Sequence, residues 1–113
     1  MLPAKNRLRT SKDFALTTKT GIRATSLSLV VYLKTNCVNL SAPQIGLIVN
    51  KSIGGSVVRH RVSRQLRHLA AVHISALPTN SQLVIRVLRN QPDFKSELAE
   101  LILKALEKSV VNK

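Results

Sequence analysis

The sequence predicts an α+β fold in which a small sheet packs against helices. Three stretches rich in β-branched and apolar residues, at 26–34, 44–51 and 82–89, read as strands. Around them lie three segments with helical periodicity and end signals, so the order is helix, strands, helix, strand, helix.

In chain order, "TSKDFALTTKTG" predicts a short first helix. Ser11 is placed to cap it, Asp13 sits in the first turn where a negative charge meets the positive end of the helix dipole, and Gly21 suits its end. "SLSLVVYLK" (26–34) and "QIGLIVNK" (44–51) follow as strands, and "TNCVNLSAP" between them suggests a hairpin. In "SIGGSVVRHRVSRQLRHLAAVH", Gly54 and Gly55 break the second strand, and Ser56 can cap a long helix running to about His73. "SALPTNS" is a turn and "QLVIRVLR" (82–89) a further strand. Pro92 and Asp93 then open a final helix to about Val110, with Leu98, Leu101, Ile102, Ala105 and Leu106 on one face.

A chain of 113 residues with 44% hydrophobic content fits one domain over 1–113, with one core and no repeat or linker. Its apolar runs fall short of the roughly 18 residues that a membrane span needs, and no apolar leader follows the basic start. A soluble, cytoplasmic protein is expected, without a membrane partner. Cys37 is the sole cysteine, so it has no disulfide partner and no second thiolate for zinc; it reads as a small, semi-buried residue.

Charge points to the partner. There are 18 Lys and Arg against 5 Asp and Glu, a formal net charge of +13. Residues 1–92 hold 14 basic side chains and one acid, Asp13, whereas residues 93–113 hold four of each. A polyanion is implied, and the N-terminal four-fifths is the part that meets it.

The segment from 56 to 73 shows how. At about 100° per residue, Val58, Val62, Leu66 and Leu69 form the docking side of the helix, while His60, Arg61, Arg64, Arg67 and His68 fall together on the other side, with Arg59 flanking the apolar arc. A merely solvated face mixes signs, because opposite charges four apart stabilise a helix by roughly 0.2–0.5 kcal/mol and like charges cost as much. Here Arg64 follows Arg61, and Arg67 follows Arg64, with no acid to relieve the repulsion. Arginine also favours forked, bidentate phosphate contacts. Asn50 and Lys51 stand before the glycines and the helix N-terminus, where free N–H groups favour anions.

Other chemistry is poorly supported. The lysine precedes the glycines, so this is not a nucleotide-binding phosphate loop. Metal-ion hydrolysis needs several carboxylates around one site, and the basic region has Asp13 alone. His60, His68 and His73 lack the spacing of a zinc pair. The aromatics are Phe14, Tyr32 and Phe94, too few for a broad base-stacking platform. Phe14 and Tyr32 are either core residues or the lining of a groove beside the sheet. A helix-turn-helix DNA regulator would need a helix where strands precede the basic segment.

"GLIVNKSIGGSVVRHRVSRQLRHL" (46–69), supported by "KNRLRTSKDF" (5–14) and "LVVYL" (29–33), resembles the protein subunit of bacterial ribonuclease P: a strand, a K-x-[IF]-G turn and an Arg-rich helix. The resemblance implies a small α+β subunit with a parallel β-α-β unit of left-handed crossover. Its partner would be a large catalytic RNA, with which it removes the 5′ leader of precursor tRNA. The RNA would hold the catalytic magnesium, and the protein would bring no catalytic residue or cofactor of its own; separately from the resemblance, no protein oligomer is expected. Carried over residue by residue, the RNA-binding set is Asn50, Lys51, Arg59, His60, Arg61, Arg64 and Arg67, with His68 beside them on the same stripe. The leader-binding set is Phe14, Lys12 and Tyr32. His60 stands where the family usually has Asn, Ser56 where Ala is usual, Ser63 where a basic residue is common, and Thr18 where a second aromatic often lies. The other reading is a structural RNA-binding protein of ribosomal type.

Overall fold

The computed structural model describes residues 6–8, 11–35, 42–90 and 93–111, with 109–111 described by backbone alone. Cys37, Pro92 and most of the segment joining the first two predicted strands lie outside the described residues. Three α-helices, α1 (Ser11–Thr20), α2 (Ser56–His73) and α3 (Lys95–Val111), accompany four strands, β1 (Ile22–Thr25), β2 (Leu29–Lys34), β3 (Gln44–Ile48) and β4 (Gln82–Val87). No described helix is long and apolar enough to cross a membrane.

The sheet order is β1-β2-β4-β3, with β2 antiparallel to β1 and β4, and β3 parallel to β4. The α+β class is as expected, but the hairpin of the second and third strands is not there. β4 inserts between β2 and β3, because the connection from β3 runs through α2 and returns β4 parallel to β3. Such a crossover fits a parallel β3–β4 pair and keeps the apolar side of α2 on the sheet, and β4 takes the place beside β2 that a hairpin would have given to β3. β2 and β4 are buried on both faces, which is why they read as nearly continuous apolar runs.

Helix α1 closes where Gly21 N–H donates to the Thr17 carbonyl at 2.8 Å. β1 follows at once and was absent from the sequence expectation: it is four residues long and buries only Ala24. Ser56 does not cap α2. Gly55 does, in an extended conformation, and its carbonyl accepts from Arg59 N–H at 2.9 Å. Gly54 before it has φ +156°, and the Val58 side chain occupies the place that a β-carbon on Gly54 would need. Lys51–Ile53 form a 3-10 turn, so β3 stops before Asn50 and Lys51.

The sheet separates two apolar clusters. On one face Leu29, Val31, Leu33, Leu83 and Ile85 pack against Val62, Leu66 and Ala70 of α2 and Phe94, Leu98, Leu101, Ile102 and Ala105 of α3. On the other, Val30, Tyr32 and Val84 pack with Leu8, Phe14 and Ile48 beneath α1. Each fully buried leucine contributes about 1.5–3 kcal/mol. Glu100 and Glu107 of α3 face solvent. Glu97 turns inward instead, accepting from Ser26 Oγ and from Ser28 N–H at 2.7 Å, which ties the β1–β2 turn to the helix.

Candidate nucleic-acid interface

The docking side of α2 is as its spacing predicts: Val62 and Leu66 are buried and Val58 and Leu69 half-buried, while His60, Arg61, Arg64, Arg67 and His68 are exposed. The basic side is divided into two flanks. Arg61, Arg64 and His68 point outward with Val57 and Gln65 around a shallow depression. Arg59, His60 and Arg67 instead border the sheet edge, where with Ser56, Ser63, Leu47 and Val49 they line a pocket of about 270 Å³. Arg59 is half-buried there, and its Nε is enclosed without a hydrogen-bond partner among the described residues. A buried, unpaired donor costs about 1–3 kcal/mol, and an acceptor entering this pocket could satisfy it. Asn50 and Lys51 stand exposed at the end of β3, beside the N-terminal end of α2.

A second pocket, of about 280 Å³, opens on the other side of the same edge strand, lined by Arg7, Leu8, Phe14, Ile45, Gly46, Leu47 and Arg67. The N-terminal segment is laid along β3 to form it. Arg7 bridges Ile45 in parallel, Leu8 N–H donates to the Ile45 carbonyl at 3.0 Å, and Asn6 Nδ2 donates to the Pro43 carbonyl at 2.7 Å. Leu47 and Arg67 line both pockets, so the basic helix and the groove under α1 are continuous around the β3 edge.

Phe14 and Tyr32 share the sheet face under α1. Phe14 is half-buried with its ring against Gly46, and Tyr32 is 9% exposed in the same cluster. Phe14 is at once part of the second core and a lining residue of the groove, whereas Tyr32 belongs to the core cluster and does not line that pocket. Lys12 is exposed in the first turn of α1. Thr18, one helical turn after Phe14, donates its hydroxyl to the Phe14 carbonyl at 3.0 Å. Thr17 Oγ1 donates to Gln82 Oε1 at 3.1 Å and Gln82 Nε2 to Gln44 Oε1 at 3.2 Å, which fixes α1 over the start of β4 and β3.

The arrangement suits a chain of phosphates carrying unstacked bases. Cations line both pockets, apolar side chains form the groove floor, and Asp13 is the one acid in the first 92 residues. Among the described residues no three His, Cys, Asp or Glu side chains gather where a metal ion could be held. Sequence reasoning did not identify Arg7, Gly46 or Leu47 as parts of the interface. Arg7 had a signal in its basic N-terminal segment; Gly46 and Leu47 had none, because only the folded edge brings them to α1 and α2.

Comparison with known proteins agrees with this geometry. The family model described as Ribonuclease P matches residues 2–110. A protein of Mycobacteroides abscessus named ribonuclease P protein component is 45% identical, with 78% of this chain and 73% of that protein covered. One of the same name from Streptomyces avermitilis is 38% identical, covering 96% and 94%. A solved structure of a Staphylococcus aureus RNase P protein mutant superposes with a TM-score of 0.71 over 92% of this chain and 87% of that one, at 20% identity, a likeness of fold.

Proposed function

This chain belongs to the ribonuclease P protein family, and on that premise we propose that α2 holds the catalytic RNA while the groove under α1 holds the single-stranded 5′ leader of precursor tRNA. It is the protein component of a tRNA-processing ribonuclease, an RNA-binding subunit of the ribonucleoprotein that matures the 5′ end of tRNA. The ribosomal reading is not favoured, since the family match runs over residues 2–110.

The observation that carries the division of labour is Arg67, which lines both pockets. RNA held on Arg59, His60, Arg61, Arg64 and His68, with Asn50 and Lys51 at the helix entrance, leaves the leader free to pass Arg67 into the groove of Phe14, Tyr32 and Lys12. The protein then acts by neutralising phosphates and positioning the leader, and catalysis belongs to the RNA. Magnesium serves the RNA-containing enzyme, where phosphate oxygens supply the hard ligands that this ion prefers. One RNA-binding domain, acting as a single copy in the cytoplasm, completes the proposal.

Reconstitution with a catalytic RNA at low magnesium tests it. Cleavage of precursor tRNA at the mature 5′ end should depend on this chain; binding without any stimulation of cleavage would overturn the assignment of the groove to the substrate.

A further inference from the structure

We propose that Arg86 is a phosphate-contacting residue for the leader, one step beyond Phe14 along the open part of the sheet; this rests on reading the face under α1 as the leader groove. β4 is the second strand in from the β3 edge, and of its six residues Arg86 alone is exposed. Its neighbours Ile85 and Val87 belong to the core beneath α2 and α3, so the alternation of a strand turns Arg86 to the opposite face, with Val84. There it stands in register with Val30 on one side and Ile48 on the other, a guanidinium rising from a β-branched floor.

Nothing described in the fold accounts for a cation at this place. The Arg86 side chain makes no hydrogen bond or ion pair among the described residues. Asp13 on α1 is the one acid before residue 93, and the other four acids lie on or just before α3, which packs on the other face. Arg23 on β1 differs, since its Nε donates to Thr25 Oγ1 at 3.2 Å.

The position matches the needs of an extended nucleic-acid strand. Phe14 lies on Gly46, the register partner of Val84, and Arg86 follows two residues later, about 6.6 Å along the strand. A base stacked at Phe14 therefore has a guanidinium one step further along, on an apolar floor where charge-assisted contacts strengthen.

The test uses the enzyme reconstituted with catalytic RNA and two precursor tRNAs, one with a long leader and one with its leader cut to a single nucleotide. Arg86→Gln should weaken binding of the long-leader substrate about five- to tenfold. It should also flatten the slope of log affinity against log salt by about 0.7, the value for one neutralised phosphate on a single strand. The short-leader substrate and the affinity for catalytic RNA should not change, and Arg86→Lys should retain the slope. Arg86→Met, which keeps the aliphatic stem, gives the same readout should the glutamine variant fold poorly. Equal effects on both substrates, or none on either, overturn the proposal. Phe14→Ala separates the two levels: if it also leaves leader-length dependence intact, the groove assignment itself falls, whereas a Phe14 effect without an Arg86 effect removes Arg86 alone.

Discussion

The Phe14 ring lies against the backbone of Gly46 so closely that a β-carbon on Gly46 would stand 2.4 Å from Phe14 Cζ and 2.5 Å from Cε1. The bare α-carbon thus sets the height of the ring above the sheet. Gly46→Ala must displace the ring, at a cost of about 1–3 kcal/mol for overpacking, measurable by denaturant unfolding. The reconstituted enzyme should lose affinity for long-leader precursor tRNA while the protein's affinity for catalytic RNA stays within about twofold of wild type, a difference worth roughly 0.4 kcal/mol.

Arg61 and Arg64 are exposed on the outward flank of α2. Replacing both by Ala should change folding stability by less than about 0.5 kcal/mol, as surface substitutions do. Catalytic-RNA binding should weaken, and its salt slope should fall by about 0.7–0.9 for each phosphate that is no longer neutralised. A chain that unfolds while its binding persists would place these arginines in the wrong part of the fold.

Gly54 combines φ +156° with a Val58 Cβ only 2.8 Å from the place of its missing β-carbon. Gly54→Ala is expected to cost about 1–3 kcal/mol of backbone strain, seen as a lowered Tm. Adding Val58→Ala removes the two Cγ contacts but keeps the Cβ one, so the double variant should recover only part of the lost stability.

Glu97 ties the β1–β2 turn to α3 through Ser26 Oγ and Ser28 N–H. Glu97→Ala should cost about 1.5–3 kcal/mol, the range for hydrogen bonds to a charged group, and should speed amide exchange at Ser28. Glu97→Gln keeps an acceptor oxygen and should lose less. Neither variant should alter catalytic-RNA affinity below its Tm.

What the sequence made legible was local. The apolar spacing of Val58, Val62, Leu66 and Leu69 is a property of one helix, and it identified both the docking side of α2 and the exposed cations opposite. The apolar stripe of α3 was readable for the same reason. Strand pairing was not, because β2 and β3 are both largely apolar and adjacency in sequence favours a hairpin; the insertion of β4 is a non-local pairing that no local pattern encodes. β1 escaped notice since Ala24 alone is buried in its four residues. Helical spacing put Arg67 among the cations, but only the edge of β3, brought up by Arg7 and Leu8, reveals that it serves two pockets. The inward turn of Glu97 had no local signal, because the turn at Ser26–Ser28 comes within its reach only on folding.

The place of β4 has a consequence for how the molecule is born. As the chain leaves the ribosome, β1 and β2 can pair at once, yet β3 has no strand of the sheet to join until residues 82–87 emerge, since β4 is its partner there. Such non-local pairing is slow to form. The arginines of α2 are therefore synthesised, and carry their full charge, before the floor they flank exists. Until that last strand emerges, the stripe of cations exists without the groove that the finished sheet sets beside it.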